Sequence, residues 1–213
     1  MDKQNSQKYK EKSKAHFEEI SSHYSETYAG KYTRFMYNAV IQELAGKDFS
    51  TLLDVGCGTG IFLSMVLNEF DVNVSGIDIS PGMIEKSREL LGDRADLRVG
   101  DSEHFPWKNA SFDIVTCIAS FHHYPNPGLV LKEMSRVLNH GGRAIISDPW
   151  APNPWRFFAN LIIRSPFNRH GEVRVYSQRE MQELLKAAGF MSIRWKTKRN
   201  SWRTYFIVDA LRR

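Results

Sequence analysis

Cysteine is scarce: Cys57 and Cys117 are the only two in 213 residues. Two thiols do not make a disulfide framework or a cysteine-rich zinc site, and no metal is expected. No apolar run approaches the roughly 20 residues needed to span a bilayer. The lysine-rich start (Lys3, Lys8, Lys10, Lys12, Lys14) is not followed by an apolar stretch of signal-peptide type. Charge of one sign does not dominate either: 29 Lys and Arg stand against 24 Asp and Glu, a formal net charge of +5. Internal repeats are missing, and the mixed residue usage excludes disorder or collagen-like repetition. These absences predict a reduced, cytoplasmic, globular protein. A domain takes about 100–200 residues, so one domain with modest decoration is expected.

What charge there is lies at the ends. Residues 1–16 hold five lysines against Asp2 and Glu11, and residues 191–213 hold seven basic side chains against Asp209. A basic tail can bind phosphates, but cations spread along a strand pair are more often its solvated face. Nucleic acid is therefore not the expected partner.

From residue 50 onward, strands and helices alternate. Thr51–Val55, Val72–Ile79, Ala95–Gly100, Phe112–Ala119 and Arg143–Ser147 read as apolar strands. Between them, Ile61–Phe70, Gly82–Leu91 (opened by Pro81) and Gly128–Leu138 read as helices, the last ended by Gly141-Gly142. This alternation predicts a parallel sheet covered on both faces. After Asp148 the chain becomes rich in proline and aromatics, with a short helix expected over Trp155–Ile163 behind Asn153-Pro154. Ser177-Gln178-Arg179-Glu180 is a capping box opening a helix that ends near Gly189. Met191–Lys198 and Trp202–Leu211 have no room for a crossover helix between them and should pair antiparallel. The first 49 residues look helical and tyrosine-rich, with Phe17, Ile20, Tyr24 and Tyr28 at helical spacing.

The stretch that carries chemistry is Asp54-Val55-Gly56-Cys57-Gly58-Thr59-Gly60. Glycines between a buried strand and a helix permit a tight turn and a ligand close to the backbone. Ile61 stands where a dinucleotide fingerprint needs its third glycine, and no Gly-Lys-Ser/Thr follows, which excludes a P-loop. Asp54 would repel a pyrophosphate and better suits a cationic ligand.

This stretch resembles the first motif of class I S-adenosylmethionine-dependent methyltransferases. Asp78 in Gly76-Ile77-Asp78-Ile79-Ser80, Gly100-Asp101-Ser102, Phe105-Pro106-Trp107, Ser111-Phe112-Asp113-Ile114-Val115 and Arg136-Val137-Leu138 with Gly141-Gly142 continue the likeness in order. They are similar to the small-molecule subgroup that includes the quinone-biosynthesis enzymes. The resemblance implies a Rossmann-like seven-stranded sheet, mostly parallel with one antiparallel strand in a C-terminal hairpin, and helices on both faces. It divides the single domain into a helical cap (1–45), a cofactor core (46–148), an aromatic lid (149–176) and a last helix with hairpin (177–213).

The resemblance also implies the site. S-adenosylmethionine would be held by Asp54, Gly56, Cys57, Gly58, Gly60, Asp78, Ile79, Met83, Asp101, Ser102 and Ile118. Asp78 would take the ribose hydroxyls, its two acceptor oxygens facing a vicinal diol, and Asp101 the adenine amino group. Tyr24, with Tyr28, would close over the sulfonium, where an aromatic face favours a cation. Trp150, Trp155, Phe158 and Phe167 would form an apolar wall or a dimer contact. His122 and His123 follow the fourth strand, and a group of pKa near 6.5 suits a general base; Tyr124 is a candidate partner. Both cysteines are expected to pack in the core. Asn139-His140 and Ser147-Asp148 depart from the quinone enzymes, so a quinone acceptor is not favoured. The expected activity is methyl transfer to a small, partly apolar acceptor through O, N or C, giving S-adenosylhomocysteine, by a monomer or homodimer. Two other readings stay open: an RNA or ribosome-associated methyltransferase, and a non-catalytic S-adenosylmethionine-binding protein.

Overall fold

The structure is a computed structural model describing residues 2–165, 168, 170–200 and 203–213; Phe167 and Trp202 lie outside the described residues. The apolar runs form one seven-stranded sheet: β1 (Thr51–Val55), β2 (Asn73–Asp78), β3 (Ala95–Val99), β4 (Phe112–Ile118), β5 (Leu138–Trp150), β6 (Phe190–Asn200) and β7 (Arg203–Arg212). The spatial order is β3-β2-β1-β4-β5-β7-β6. Strands β1 to β5 pair in parallel, and β7 enters antiparallel between β5 and β6. The Rossmann-like arrangement expected from the motifs is therefore present.

Helices cover both faces: α1 (Lys3–Ile20), α2 (Tyr28–Leu44), α3 (Ile61–Glu69), α4 (Pro81–Leu91), α5 (Pro127–Val137), α6 (Trp155–Ile163) and α7 (Gln178–Ala187). Period-two alternation along each strand sorts its side chains between two layers. Val115 and Cys117 of β4 join Leu131, Met134, Met181 and Leu185 of α5 and α7. Ile114 and Ile118 join Met36, Val40, Phe62, Leu63 and Ile84 of α2, α3 and α4. Each such burial contributes about 1.5–3 kcal/mol. Both cysteines are buried.

Several motif residues serve the scaffold. Asp113 accepts hydrogen bonds from the backbone N–H groups of Ser50 and Thr51 (3.0 Å each), from both their hydroxyls, and from Asn139 (2.7 Å). Burial would raise its pKa, but these donors outweigh it and hold the carboxyl at about 2. Arg136 reaches the carbonyls of Trp107 (2.8 Å) and Phe105 (3.1 Å), and Glu133 accepts from the Phe105 N–H (2.7 Å). Phe105–Trp107 is thus pinned to α5.

Three expectations fail in detail. The N-terminal stripe is not one helix: α1 stops at Ile20, Ser21–Glu26 is a 3₁₀ turn in which His23 leaves helical geometry (φ −133°), and α2 starts afresh. Thr27 caps that start, its hydroxyl oxygen accepting from Gly30 N–H at 3.0 Å. Gly141-Gly142 does not end a helix. α5 already stops at Val137, and the two glycines sit in an irregular stretch of β5, where the register with β4 shifts between Phe112 and Ile114. Finally, Pro154 rather than Asn153 occupies the N-cap position of α6, with no side-chain cap. The Ser177–Glu180 capping box forms as expected.

Candidate active site

A cavity opens at the carboxyl ends of β1, β2 and β4, where α/β folds bind ligands. The turn after β1 forms its floor. Gly56 has φ +74°, and a Cβ there would lie 2.0 Å from Ser120 Oγ, so the position accepts no side chain. The N–H groups of Gly56 and Cys57 donate to the Ile77 carbonyl (2.8 and 3.1 Å), locking the turn to β2. Asp78 ends β2 beside it. Its Oδ2 accepts from Gly58 N–H (3.0 Å) and its Oδ1 from Ser80 N–H (2.9 Å). Burial raises the Asp78 pKa, and these backbone donors act against it.

Of the residues expected at the site, Gly56, Asp78, Ile79, Asp101, Ser102 and His123 line this cavity. Gly58 touches it indirectly, through Asp78. The others stand outside the wall. Asp54 is buried at 2% exposure, accepting from Thr116 Oγ1 at 2.7 Å. Burial, with Asp78 nearby, pushes its carboxyl up to about 7. Cys57 Sγ packs against Gly76, where an added Cβ would come within 2.8 Å of it. Gly60 serves as N-cap of α3 in left-handed geometry, and Met83 and Ile118 are core residues.

Tyr24 lies edge-on to Phe17 at 6.2 Å, its hydroxyl pKa raised by burial and by Asp78. Tyr28 does not join it. It is 57% exposed, with the Arg203 guanidinium 4.3 Å from its ring centroid. Trp155 and Phe158 do not line this cavity: they are 68% and 50% exposed on α6, whose buried residue is Ile163. Trp150 packs against the α5–α7 core layer.

The two histidines have opposite environments. His122 Nδ1 meets Asp148 Oδ1 at 2.9 Å, at the ends of β4 and β5. Burial works to lower the His122 pKa, but the Asp148 charge and hydrogen bond outweigh it and raise it. His123 is buried, its Nδ1 has no hydrogen-bond partner, and burial with the neighbouring His122 drives its pKa well below 6.5. Tyr124 hydroxyl bonds Ser120 Oγ at 2.7 Å rather than either histidine.

The remaining wall comes from α1, which the motifs did not reveal. Lys10, Ser13 and Phe17 project into the cavity from one helical face. Lys10 Nζ lies 2.7 Å from Asp101 and 2.8 Å from Glu103. Burial alone would lower the Lys10 pKa, but the two carboxylates more than compensate and raise it. Phe17 meets the His123 ring edge-on at 5.1 Å. Glu18 accepts from Ser80 Oγ (2.6 Å) and Gly82 N–H (2.9 Å), tying α1 to the start of α4. On its other side α1 passes close to Gly171 (φ +74°), where a Cβ would sit 2.6 Å from Ser13 N. Lys12 donates to the Asn168 carbonyl at 2.9 Å. With α1 in place, the space free to a water-sized sphere is about 50 Å³. Pockets for drug-sized ligands run to roughly 300–1,000 Å³.

Residues 53–146 match the methyltransferase domain family. That segment carries the likeness to S-adenosylmethionine-dependent methyltransferases. The chain is 33% identical over 144 residues to 27-O-demethylrifamycin SV methyltransferase of Amycolatopsis mediterranei, covering 65% of this chain and 53% of that protein. It is 32% identical to the chloroplastic 2-methyl-6-phytyl-1,4-hydroquinone methyltransferase 2 of rice, Oryza sativa subsp. japonica, over 71% of this chain and 42% of that one. The chain thus spans about half the length, or less, of these curated relatives. In fold it is similar to the Burkholderia thailandensis 1,6-didemethyltoxoflavin-N1-methyltransferase, solved with 1,6-didemethyltoxoflavin and S-adenosylhomocysteine. The TM-score is 0.74 at 19% identity, over 97% of this chain and 90% of that one. Among the described residues, no helix is long and apolar enough to cross a membrane.

Proposed function

We propose that this protein is a methyltransferase that binds S-adenosylmethionine in the cavity at the ends of β1, β2 and β4, and methylates a small, partly apolar acceptor with His122 as the base; the His122 ring stands outside the cavity wall, 4.2 Å from the ring of the wall residue His123. The observation that carries the reading is Asp78. Each of its oxygens accepts one backbone N–H, so each keeps a lone pair for a ribose hydroxyl. The bare Cα of Gly56 permits close approach, and Asp101 and Ser102 on the same wall suit the adenine. These residues fit the cofactor once α1 lifts.

Bound there, the sulfonium supplies a methyl group already activated for transfer. The chain's own task is to orient the acceptor and exclude water, which contributes on the order of 7–11 kcal/mol. Asp148 fixes the His122 tautomer through Nδ1, so His122 takes the acceptor's proton at Nε2. The curated relatives are named for an O-demethylated rifamycin and a phytyl hydroquinone, which supports a hydroxyl-bearing acceptor with an apolar body. The two buried free thiols suit a reducing, cytoplasmic setting.

Calorimetric titration with S-adenosylmethionine and S-adenosylhomocysteine tests the base of this reading. Asp78→Ala should weaken both by about 10- to 100-fold, the range for losing hydrogen bonds to a charged group. Unchanged affinity would remove Asp78 from the site.

A further inference from the structure

Helix α6 presents its apolar side chains to solvent. Trp155, Phe157, Phe158, Leu161 and Ile162 are 50–68% exposed, and only Ile163 is buried. Five large apolar residues exposed on nine positions are unusual for a helix of a water-soluble face, and such patches mark interaction surfaces. The flank of the same helix is cationic. A groove between α6 and the start of α7 is lined by Arg156, Arg164 and Arg174, together with Phe157 and Leu161. Its one carboxylate, Glu180, is held by Arg174 and by the Ser177 hydroxyl and N–H. Arg164 also borders a second depression with Lys8 and Lys12 of α1.

We propose that α6 and this arginine groove dock the protein onto the surface of an anionic phospholipid bilayer. Apolar and aromatic side chains beside a cationic flank are what an interfacial helix uses: the rings enter the headgroup boundary and the arginines meet phosphates. The charge argues against a second copy as occupant. A twofold contact centred on α6 would gather Arg156 and Arg164 of both copies, like charges, into one interface. The mode is attachment to one leaflet surface; α6 is too short to span it, at nine residues.

The test is co-sedimentation of the full chain with vesicles of phosphatidylcholine alone or mixed with phosphatidylglycerol. Binding should require the anionic lipid and fall with added salt. Arg156→Gln with Arg164→Gln should lower the partition coefficient about 30-fold, at about fivefold per arginine. Phe157→Ser with Ile162→Ser should abolish binding. All four positions are solvent-facing or nearly so, and unchanged thermal melting serves as the fold control. Absence of binding to anionic vesicles, or binding insensitive to both variants, overturns the proposal. So does sedimentation equilibrium showing a dimer that Phe157→Ser with Ile162→Ser makes monomeric, which would give the face to a second copy.

Discussion

At the scale of single residues, burial and charge conflict most at Asp54. Its carboxyl sits near 7 in the fold against an ordinary value of 3.8. The folded chain therefore binds more protons than the unfolded chain between these values, and stability falls as pH rises through that window. Above about pH 7 the ionised form is disfavoured by roughly 4 kcal/mol, at 1.36 kcal/mol per pKa unit. Asp54→Asn should flatten the decline between pH 5 and 8 and raise stability at pH 8 by up to that amount, read by urea denaturation. An unchanged slope would place the effect in other groups.

The His122–Asp148 pair calls for a different measurement. With the His122 pKa raised, the base form appears only above it, so kcat should climb with pH through a value above 6.5. Asp148→Asn leaves the desolvation in place without the countercharge. The limb should move to lower pH while kcat falls by about 10²- to 10⁴-fold, the usual worth of a general base. A profile that keeps its midpoint would exclude His122 from proton transfer. His123, held neutral by burial, does not titrate in that range. Environment, not spacing, separates the two rings, and the sequence His122-His123 is symmetrical on this point.

At the scale of elements, α1 is a strap across the cavity. Its grip is electrostatic at Lys10, which is 15% exposed between Asp101 and Glu103, at 35% and 6%. Such a partly screened pair is worth about 1 kcal/mol. Lys10→Gln should therefore speed both association and dissociation of S-adenosylmethionine about fivefold in stopped-flow measurements. Rates that stay fixed would show that α1 opens by another route. The strap was hard to read from sequence for a plain reason: the Lys10–Asp101 contact spans 91 positions, and lysines on a surface helix are ordinarily solvated. The sequence puts Phe17 on a helical stripe, but it does not show that Lys10 and Ser13 share its cavity-facing side. By contrast, the capping box of α7 acts within three residues of itself, and the glycine turn and Asp78 were legible as ordered motifs although they bond each other across 20 positions. The Phe105–Trp107 and Arg136 motifs were visible as a pattern, yet only the structure shows them bound to each other.

Across the whole molecule, the strand alternation carried most of the fold, because strands buried on both faces declare themselves by continuous apolar runs. The terminal charges read differently once folded. Asp209 holds Arg143 and Arg194 at 2.6 Å each and Lys47 at 3.3 Å, and Glu43 holds Lys196 at 2.7 Å. Part of the basic hairpin is thus neutralised within the fold, which weakens it as a phosphate platform. The aromatic segment stayed between a pocket wall and a surface contact, since composition alone does not say whether α6 faces inward or outward.

The helix that covers the cavity also touches Asn168 and Gly171 through Lys12 and Ser13. One displacement therefore breaks both sets of contacts, and timing follows from that arrangement. Under the proposed function, turnover has a compulsory sequence: cofactor enters before the strap settles, and spent cofactor leaves last. S-adenosylhomocysteine should inhibit competitively against S-adenosylmethionine and noncompetitively against the acceptor. Initial-rate patterns of random addition would overturn that order.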